Sequence, residues 1–229
     1  MEDNNDETSN SRKTSLSSLS FRPYIAFSGL IGAGKTTLAN ELGRQLSLPV
    51  YHEPVDENPY LEHFYKDMGK YSFPMQVFLL EERFKQHQQI VWACEGGISD
   101  RSLYEDEIFC RTLVKTGMMS ELDHQTYKNL FKIMGNSMKH PTIIVHLDVT
   151  PEESYERIME RGRECEKTIT IEYLRILHRE YDIFLKELSK SSPVFRIKWD
   201  NFYDSEKVAS AIISQIKNTD NIHYLAISE

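Results

Sequence analysis

Residues 27–38 read FSGLIGAGKTTL and contain the pattern Gly-x-x-x-x-Gly-Lys-Thr between an apolar run and a helical repeat. Tyr24 to Phe27 has the composition of a short buried strand, and apolar residues recur at helical spacing from Lys35 to Leu46. A phosphate-binding loop connects a strand to a helix in this way. The alternative interpretation, a plain glycine-rich turn with a surface lysine, does not require a strand before it and a helix after it. The residues predicted to bind phosphate here are Gly29, Gly32, Ala33, Gly34, Lys35, Thr36 and Thr37.

The chemistry of this loop suits a nucleoside triphosphate with its metal ion. Glycines allow backbone conformations in which successive N–H groups turn toward a phosphate, and the dipole of the following helix adds positive potential. Lys35 is predicted to reach the outer phosphates, and the Thr36 hydroxyl is predicted to ligate Mg²⁺. ATP and Mg²⁺ are therefore the expected cofactors.

The rest of the chain alternates short apolar runs with helical patterns. The predicted strands lie at 24–27, 48–53, 96–100, 142–147 and 194–199. The predicted helices lie at 35–46, 58–68, 73–93, 103–116, 121–138, 151–161, 171–188 and 205–217. Strands separated by helices predict an α/β protein with a parallel five-stranded sheet flanked by helices. Together with the phosphate-binding loop, this pattern predicts a P-loop kinase fold.

The length and charge of the chain limit the classes of protein to which it can belong. Its 229 residues suffice for one domain with a full core, which we predict over residues 21–217. The chain has 35 acidic and 27 basic side chains and a net charge of -8, which argues against nucleic acid as a partner. A small phosphate-bearing molecule needs only a local cluster of positive groups, so small molecules are the expected partners.

The termini and the apolar runs bear on where the protein resides. Residues 1–20 are rich in Ser, Thr, Asn and acidic side chains without apolar periodicity, so we expect them to be disordered. They match neither a secretory signal nor an arginine-rich mitochondrial presequence. No apolar run is long enough to cross a bilayer, and three scattered cysteines favour a reducing compartment. The cytoplasm is the expected location, and residues 218–229 are assigned only as a C-terminal tail.

Acidic side chains follow three of the predicted strands. In a parallel sheet the ligand lies beyond the carboxyl ends of the strands, and Glu53, Asp100 and Asp148 all fall there. Three carboxylates at one edge exceed what structure alone requires. Asp100 is expected to hold the metal through water, and Arg101 is expected to neutralise charge on the acceptor side.

Arginines cluster after the fourth predicted strand. A lid that closes over phosphates and excludes water would need such residues, whereas spacing alone would equally allow a solvated helix face. Their position in the chain favours the lid. The arginines concerned are Arg157, Arg161 and Arg163.

Further stretches accompany the loop. They are Glu53-Pro54-Val55, Tyr65 with Ser72-Phe73-Pro74-Met75-Gln76, Asp100-Arg101-Ser102-Leu103-Tyr104-Glu105-Asp106, Arg161-Gly162-Arg163-Glu164-Cys165-Glu166 and Ile171-Glu172-Tyr173-Leu174. With these stretches the chain resembles the deoxyribonucleoside kinase family over about Tyr24 to Phe202, and most of all its bacterial-type purine members. The resemblance implies ATP-dependent 5′-phosphorylation of a deoxyribonucleoside in nucleotide salvage, by a homodimer.

The resemblance also implies roles for individual residues. Glu53 would be the general base for the 5′-hydroxyl, with Arg101 near the same oxygen. Tyr65 and Glu166 would bind the sugar 3′-hydroxyl, and Gln76 would offer its amide to the base. The sequence departs from the family at Cys165, where several relatives carry a second acid, and at Asp100, where Glu is commoner. The shorter acid changes the geometry at the metal rather than the ability to bind it.

The identity of the base depends on Arg83 and Asp106. Arg83 lies seven positions after Gln76, so both side chains point from one face of a helix. In the resembled family such an Arg and Asp pair accompanies bases with an amino group or a purine edge. We therefore expect deoxyadenosine or deoxyguanosine first, deoxycytidine or a broad range of substrates as the alternative, and thymidine as a poor substrate. An ordinary surface salt bridge is the structural alternative for the pair.

Two other functions share the loop. A nucleoside monophosphate kinase would need extra cations for the acceptor's phosphate, which Glu53 would instead repel. A non-catalytic nucleotide-binding module would not need Glu53, Arg101 and Glu166 around an acceptor.

Overall fold

The computed structural model describes residues 22–54, 58–93, 96–135, 137–199 and 203–219. Its strands are β1 Tyr24–Gly29, β2 Val50–Tyr51, β3 Gly97–Asp100, β4 Ile143–Asp148 and β5 Val194–Lys198. Its helices are α1 Lys35–Leu46, α2 Leu61–Lys66, α3 Met68–Trp92, α4 Asp106–Lys115, α5 Glu121–Gly135, α6 Pro151–Arg161, α7 Ile171–Leu188 and α8 Ser205–Thr219. Two 3₁₀ turns, Leu103–Glu105 and Glu164–Thr168, precede α4 and α7.

The five strands form one parallel sheet, as predicted, and their order in it is β2-β3-β1-β4-β5. β1 lies in the centre, and all six of its residues are buried because a strand with neighbours on both sides and helices on both faces has no contact with water. The register pairs Phe27 with Asp100 and Gly29 with Leu147. The carboxyl ends of the three central strands therefore meet beside the phosphate-binding loop.

Several boundaries differ from the predictions for local reasons. The second strand was predicted over 48–53, but β2 has only two residues and lies at the sheet edge. The carbonyl of His52 accepts a hydrogen bond from Gln86 on α3 instead of pairing in the sheet, 2.7 Å away. Glu53 therefore follows the strand rather than ending it. Residues 55–57 lie outside the described residues.

The start of α3 was predicted at Phe73 and is found five residues earlier, at Met68. The Asp67 side chain caps the helix by accepting a hydrogen bond from the Lys70 N–H at 3.1 Å. Pro74 thus lies inside the helix, where it removes one backbone donor. Similarly, the helix predicted over 103–116 is a 3₁₀ turn followed by α4, and the helix predicted to end at Met138 ends at Gly135.

The end of β1 requires glycine. Gly29 has a φ of +141°, and a Cβ atom there would lie 2.7 Å from the carbonyl oxygen of Leu147. We expect Gly29→Ala to lower the free energy of unfolding by about 2 kcal/mol or more, because backbone strain and a clash with a main-chain atom add together. Urea denaturation would measure this difference.

Gly117 provides the control for that variant. Its φ is +73°, but a Cβ atom would meet nothing within 4 Å. Gly117→Ala should therefore cost only the strain of a left-handed backbone, about 1 kcal/mol. Equal losses in the two variants would show that the contact with Leu147 has no influence.

The termini set the limits of what the structure describes. Residues 1–20, predicted to be disordered, and residues 220–229 of the predicted tail lie outside the described residues. α8 extends to Thr219, two residues past the predicted domain boundary at 217. Among the described helices, none combines the length and apolarity needed to cross a membrane.

Candidate active site

A cavity of about 930 Å³ opens where β1 and β3 end, beside α6 and the 3₁₀ turn Glu164–Thr168, the region predicted to form a lid. Most of the residues predicted from the sequence to form a site line it. They are Gly32, Ala33, Gly34, Lys35, Thr36, Thr37, Glu53, Tyr65, Gln76, Arg83, Asp100, Arg101, Arg157, Arg161, Arg163 and Glu166. Gly29 and Asp106 lie behind this wall and contact it through Lys35 and Arg83. The structure thus gathers predictions made from distant parts of the chain into one site.

The phosphate-binding loop leads directly into α1. Gly34 precedes the helix with a φ of 88° and makes no side-chain cap, so the first N–H groups of α1 remain available to a ligand. The Lys35 ammonium donates to the carbonyl of Gly29 at 3.1 Å and to that of Leu30 at 2.8 Å. Burial, with a further contribution from Arg101, lowers the pKa of Lys35 to about 8. Lys35 is therefore still mostly charged at neutral pH.

Thr36 and Asp100, the two predicted metal ligands, are in contact. The Thr36 hydroxyl donates to Asp100 Oδ2 at 2.5 Å, whereas Asp100 Oδ1 is buried and has no hydrogen-bond partner among the described residues. A buried carboxylate oxygen without a partner beside a hydroxyl fits a hard cation. The described residues contain no group of three His, Cys, Asp or Glu that could hold a metal ion.

Glu53 lies between two guanidinium groups. Its Oε1 is 2.5 Å from Arg83 Nη2 and 3.3 Å from Arg101 Nε, and 27% of its side chain remains exposed. Burial raises the pKa of Glu53, but the charges of Arg101 and Arg83 outweigh it and lower the pKa to about 2. Glu53 is therefore a carboxylate at neutral pH, able to accept a hydrogen bond from an incoming hydroxyl.

Arg101 is fixed by groups below the cavity. Its Nη1 donates to Glu105 Oε2 at 2.9 Å and to the Tyr181 hydroxyl, which itself donates to the same Glu105 oxygen at 2.7 Å. The guanidinium carbon lies 4.8 Å from the centre of the Phe109 ring. The backbone of Arg101 has a φ of +81°, an uncommon conformation that its surroundings must maintain. These contacts direct Arg101 toward Glu53.

Sequence reasoning missed the residues that hold Arg101. Glu105 stands in a quoted stretch, four positions after Arg101, and that spacing could have indicated an ion pair. Tyr181 lies on α7, eighty positions away, and no local pattern connects it to Arg101. Tyr173 also lines the cavity and was quoted only as part of a motif.

Arg83 and Asp106 form a buried pair. Arg83 is 3% exposed and Asp106 is fully buried, and Arg83 Nη1 donates to Asp106 Oδ1. This rules out the alternative of an ordinary surface salt bridge. Gln76 is also buried, and it lines the cavity with Arg83 as the helical spacing predicts. Its Oε1 accepts a long contact of 3.9 Å from the Cys110 thiol.

Two of the three arginines predicted to form the lid bind a carboxylate in this structure. Glu166 accepts from Arg161 at 2.5 Å and from Arg163 at 3.4 Å, and only 5% of the Glu166 side chain is exposed. Arg157 donates to the Trp199 carbonyl at 2.8 Å. The Thr168 hydroxyl donates to the carbonyl of Tyr65 at 3.3 Å, so the 3₁₀ turn of the lid rests on α2.

The prediction that Asp148 joins the site is wrong. Asp148 pairs with Arg196 at 2.7 Å and with His178 at 3.6 Å, and it is not among the residues that line the cavity. Its strand, β4, neighbours β5, whose Arg196 attracts the carboxylate away from the phosphate-binding loop. Burial raises the pKa of Asp148, but Arg196 outweighs it and the net shift is downward. The residue therefore has a structural role.

Comparisons with known proteins agree with this geometry. A family model described as deoxynucleoside kinase matches residues 25–220. A deoxyadenosine kinase of Dictyostelium discoideum is 48% identical over 195 residues, covering 85% of this chain and 80% of that protein. A deoxyadenosine/deoxycytidine kinase of Bacillus subtilis is 34% identical over 197 residues, covering 84% and 90%.

A solved structure gives the same result. Deoxyadenosine kinase from M. mycoides with bound dATP superposes with a TM-score of 0.76 at 32% identity, covering 86% of this chain and all of that one. The chain therefore belongs to the deoxynucleoside kinase family, and it is a kinase of deoxynucleosides.

Proposed function

We propose that the protein transfers the γ-phosphoryl group of ATP to the 5′-hydroxyl of a purine deoxynucleoside, deoxyadenosine or deoxyguanosine. The observation that carries this proposal is a single cavity in which a phosphate-binding loop faces an ionised carboxylate, Glu53, beside a buried pair, Arg83 and Asp106. The loop suits the donor, the carboxylate suits a hydroxyl acceptor, and the buried pair suits a polar base edge. The named activities of the relatives support the purine.

The donor end consists of the loop and the lid. Lys35 and the N–H groups at the start of α1 would hold the outer phosphates, while Arg157, Arg161 and Arg163 would close over them. Thr36 and Asp100 would hold Mg²⁺, since the contact between them and the orphaned Asp100 Oδ1 fit that ion. When bound, the ion neutralises phosphate charge during transfer.

The acceptor end depends on Glu53 and Arg101. As a carboxylate, Glu53 would accept the hydrogen bond of the 5′-hydroxyl, orient its oxygen toward phosphorus and take the proton as the bond to phosphorus forms. A pKa near 2 makes it a weak base in the free enzyme. A loose transition state requires little early deprotonation, so orientation is the larger contribution. Tyr65 and Glu166, both at the cavity wall, would hold the sugar.

At the end of the cavity proposed to bind the base, polar side chains would form hydrogen bonds with the polar edge of the base. A buried ion pair is costly unless it discriminates among ligands, and the buried amide of Gln76 beside Arg83 can donate and accept at once. Deoxycytidine is the alternative substrate, favoured by the name of the Bacillus subtilis relative. A monophosphate acceptor is disfavoured, because Glu53 and Glu166 would repel its phosphate.

Three further proposals concern the whole protein. The family resemblance supports a homodimer, for which light scattering of the purified chain is the test. The net charge of -8 supports small molecules rather than nucleic acid as partners. The small number and scatter of the cysteines support a cytoplasmic location, where the activity would serve nucleotide salvage.

Initial rates with Mg-ATP test the choice of substrate. We expect turnover of deoxyadenosine, deoxyguanosine or both to exceed that of deoxycytidine, and thymidine to be poorest. Deoxyadenosine monophosphate serves as a control for the competing reaction. Turnover of thymidine alone would show that the buried pair does not select purines.

The double variant Arg83→Met with Asp106→Ala tests how the base is read. Removing both partners avoids leaving one charge buried alone. Thymidine turnover should rise and purine turnover should fall, each by about tenfold or more, because leaving a buried polar group without its partner costs about 1–3 kcal/mol. The assay is kcat/KM for each nucleoside. Unchanged purine turnover with inert thymidine would remove the pair from base recognition.

A further inference from the structure

Arg83 holds two carboxylates at once. Its Nη1 donates to Asp106 on α4, and its Nη2 lies 2.5 Å from Glu53 Oε1, in the segment after β2. The planar guanidinium presents several donors in a fixed fork, which lets one side chain span two acids. Arg83, which we propose to bind the base, is therefore also bonded to Glu53, which we propose to bind the 5′-hydroxyl.

The two partners of Arg83 differ in how firmly they hold it. Asp106 is fully buried, so losing Arg83 would leave a carboxylate without its cation away from water. Glu53 is 27% exposed and has a second cation, Arg101, at 3.3 Å. Breaking the bond between Arg83 and Glu53 therefore costs less free energy than breaking the bond between Arg83 and Asp106. Arg83 would stay bonded to Asp106 when it leaves Glu53.

Arg101 cannot move in the same way. Glu105 and Tyr181 both contact its Nη1, and both are buried. Arg83, like Arg101, has an Nε that is buried without a hydrogen-bond partner among the described residues, but only Arg101 has two buried partners on one Nη atom. A base that enters the cavity beside Gln76 would therefore meet an Arg83 guanidinium with one N–H group that makes no hydrogen bond to a described residue.

We propose that Arg83 determines specificity by coupling recognition of the base to the availability of Glu53. Both contacts of Glu53 end on Oε1, and Arg83 makes the shorter one. A base that presents a hydrogen-bond acceptor draws Arg83 away from Glu53 while Asp106 retains it. Glu53, then held by Arg101 alone, becomes a better acceptor for the 5′-hydroxyl. This inference rests on the proposed function, and it assigns part of base selectivity to kcat rather than to binding.

A substrate without a base separates the two roles of Arg83. 1,2-Dideoxyribose keeps the 3′- and 5′-hydroxyls of the sugar but makes no base contact, so any effect of Arg83 on its turnover must pass through Glu53. We expect the double variant Arg83→Met with Asp106→Ala to phosphorylate this sugar about tenfold faster than wild type. This factor applies if Glu53 is free of Arg83 in about 10% of wild-type molecules and in nearly all molecules of the variant. Deoxyadenosine turnover should fall in the same variant.

Two further proteins complete the experiment. Arg83→Lys keeps a cation for Asp106 but loses the fork that spans both acids, and it should also accelerate the abasic sugar if the double variant does not fold. Arg44→Met removes an arginine that pairs with Glu41 on the surface and should change neither rate.

The outcomes separate the inference from the proposed function. Abasic turnover that is unchanged, lower or undetectable in the folded Arg83 variants would overturn the coupling, even if wild type phosphorylates deoxyadenosine. Wild type without deoxynucleoside turnover would overturn the proposed function itself.

Discussion

Replacing Glu53 with glutamine is expected to lower kcat by about a hundredfold or more, while nucleotide binding at the phosphate-binding loop stays within about twofold of wild type. Glutamine has nearly the same shape, but without the negative charge it orients the hydroxyl less firmly, and it cannot take the proton. The loop lies across the cavity and keeps Lys35 and its N–H groups. Steady-state rates and ATP binding by calorimetry measure the two quantities separately.

Glu152→Gln is the matched control for that variant. Glu152 is an exposed glutamate on α6 that pairs with Arg175, and removing its charge should leave kcat unchanged. A Glu53→Gln enzyme that retains wild-type turnover would exclude Glu53 as the acceptor-side base.

Replacing Arg101 with methionine should damage both activity and stability. Loss of a positioned cation at the reacting oxygen is expected to lower kcat/KM by about a hundredfold to a thousandfold. Among the described residues, Glu105, which is 1% exposed, would keep only Tyr181 as a partner, so the free energy of unfolding should fall by about 3 kcal/mol or more. Kinetics and urea denaturation measure the two losses.

A second variant separates those two losses. Arg101→Met combined with Glu105→Gln removes the stranded charge, so most of the stability should return. The activity should not return, because the guanidinium beside Glu53 is still missing. If the double variant were as unstable as the single one, Glu105 would not be the source of the destabilisation. If its activity recovered, Arg101 would have no direct role at the reacting oxygen.

Much of the fold was predictable because its signals are local. The loop at residues 29–36 connects a strand to a helix, and the alternation of strands with helices implies a parallel sheet. Gln76 and Arg83 were predicted to share a face, since seven residues make about two turns of a helix. Both line the cavity. The short range of these patterns is what made them readable.

What escaped prediction depends on contacts between distant segments. Tyr181 reaches Arg101 only because α7 packs against α4, and no pattern near either residue records that contact. The bond between Arg83 and Glu53 likewise appears only after folding, since thirty positions separate them. Asp148 was misplaced because the strand-end rule does not say which neighbour, here Arg196, will take a carboxylate.

The most direct test of the account is to follow the phosphate itself. ATP labelled with ³²P in the γ position is incubated with the protein, Mg²⁺ and deoxyadenosine or deoxyguanosine, and the products are separated and identified. We expect label in the 5′-monophosphate of the purine deoxynucleoside, with one ADP formed for each label transferred. Label released only as inorganic phosphate, or transferred only when a nucleoside monophosphate is supplied, would contradict the account.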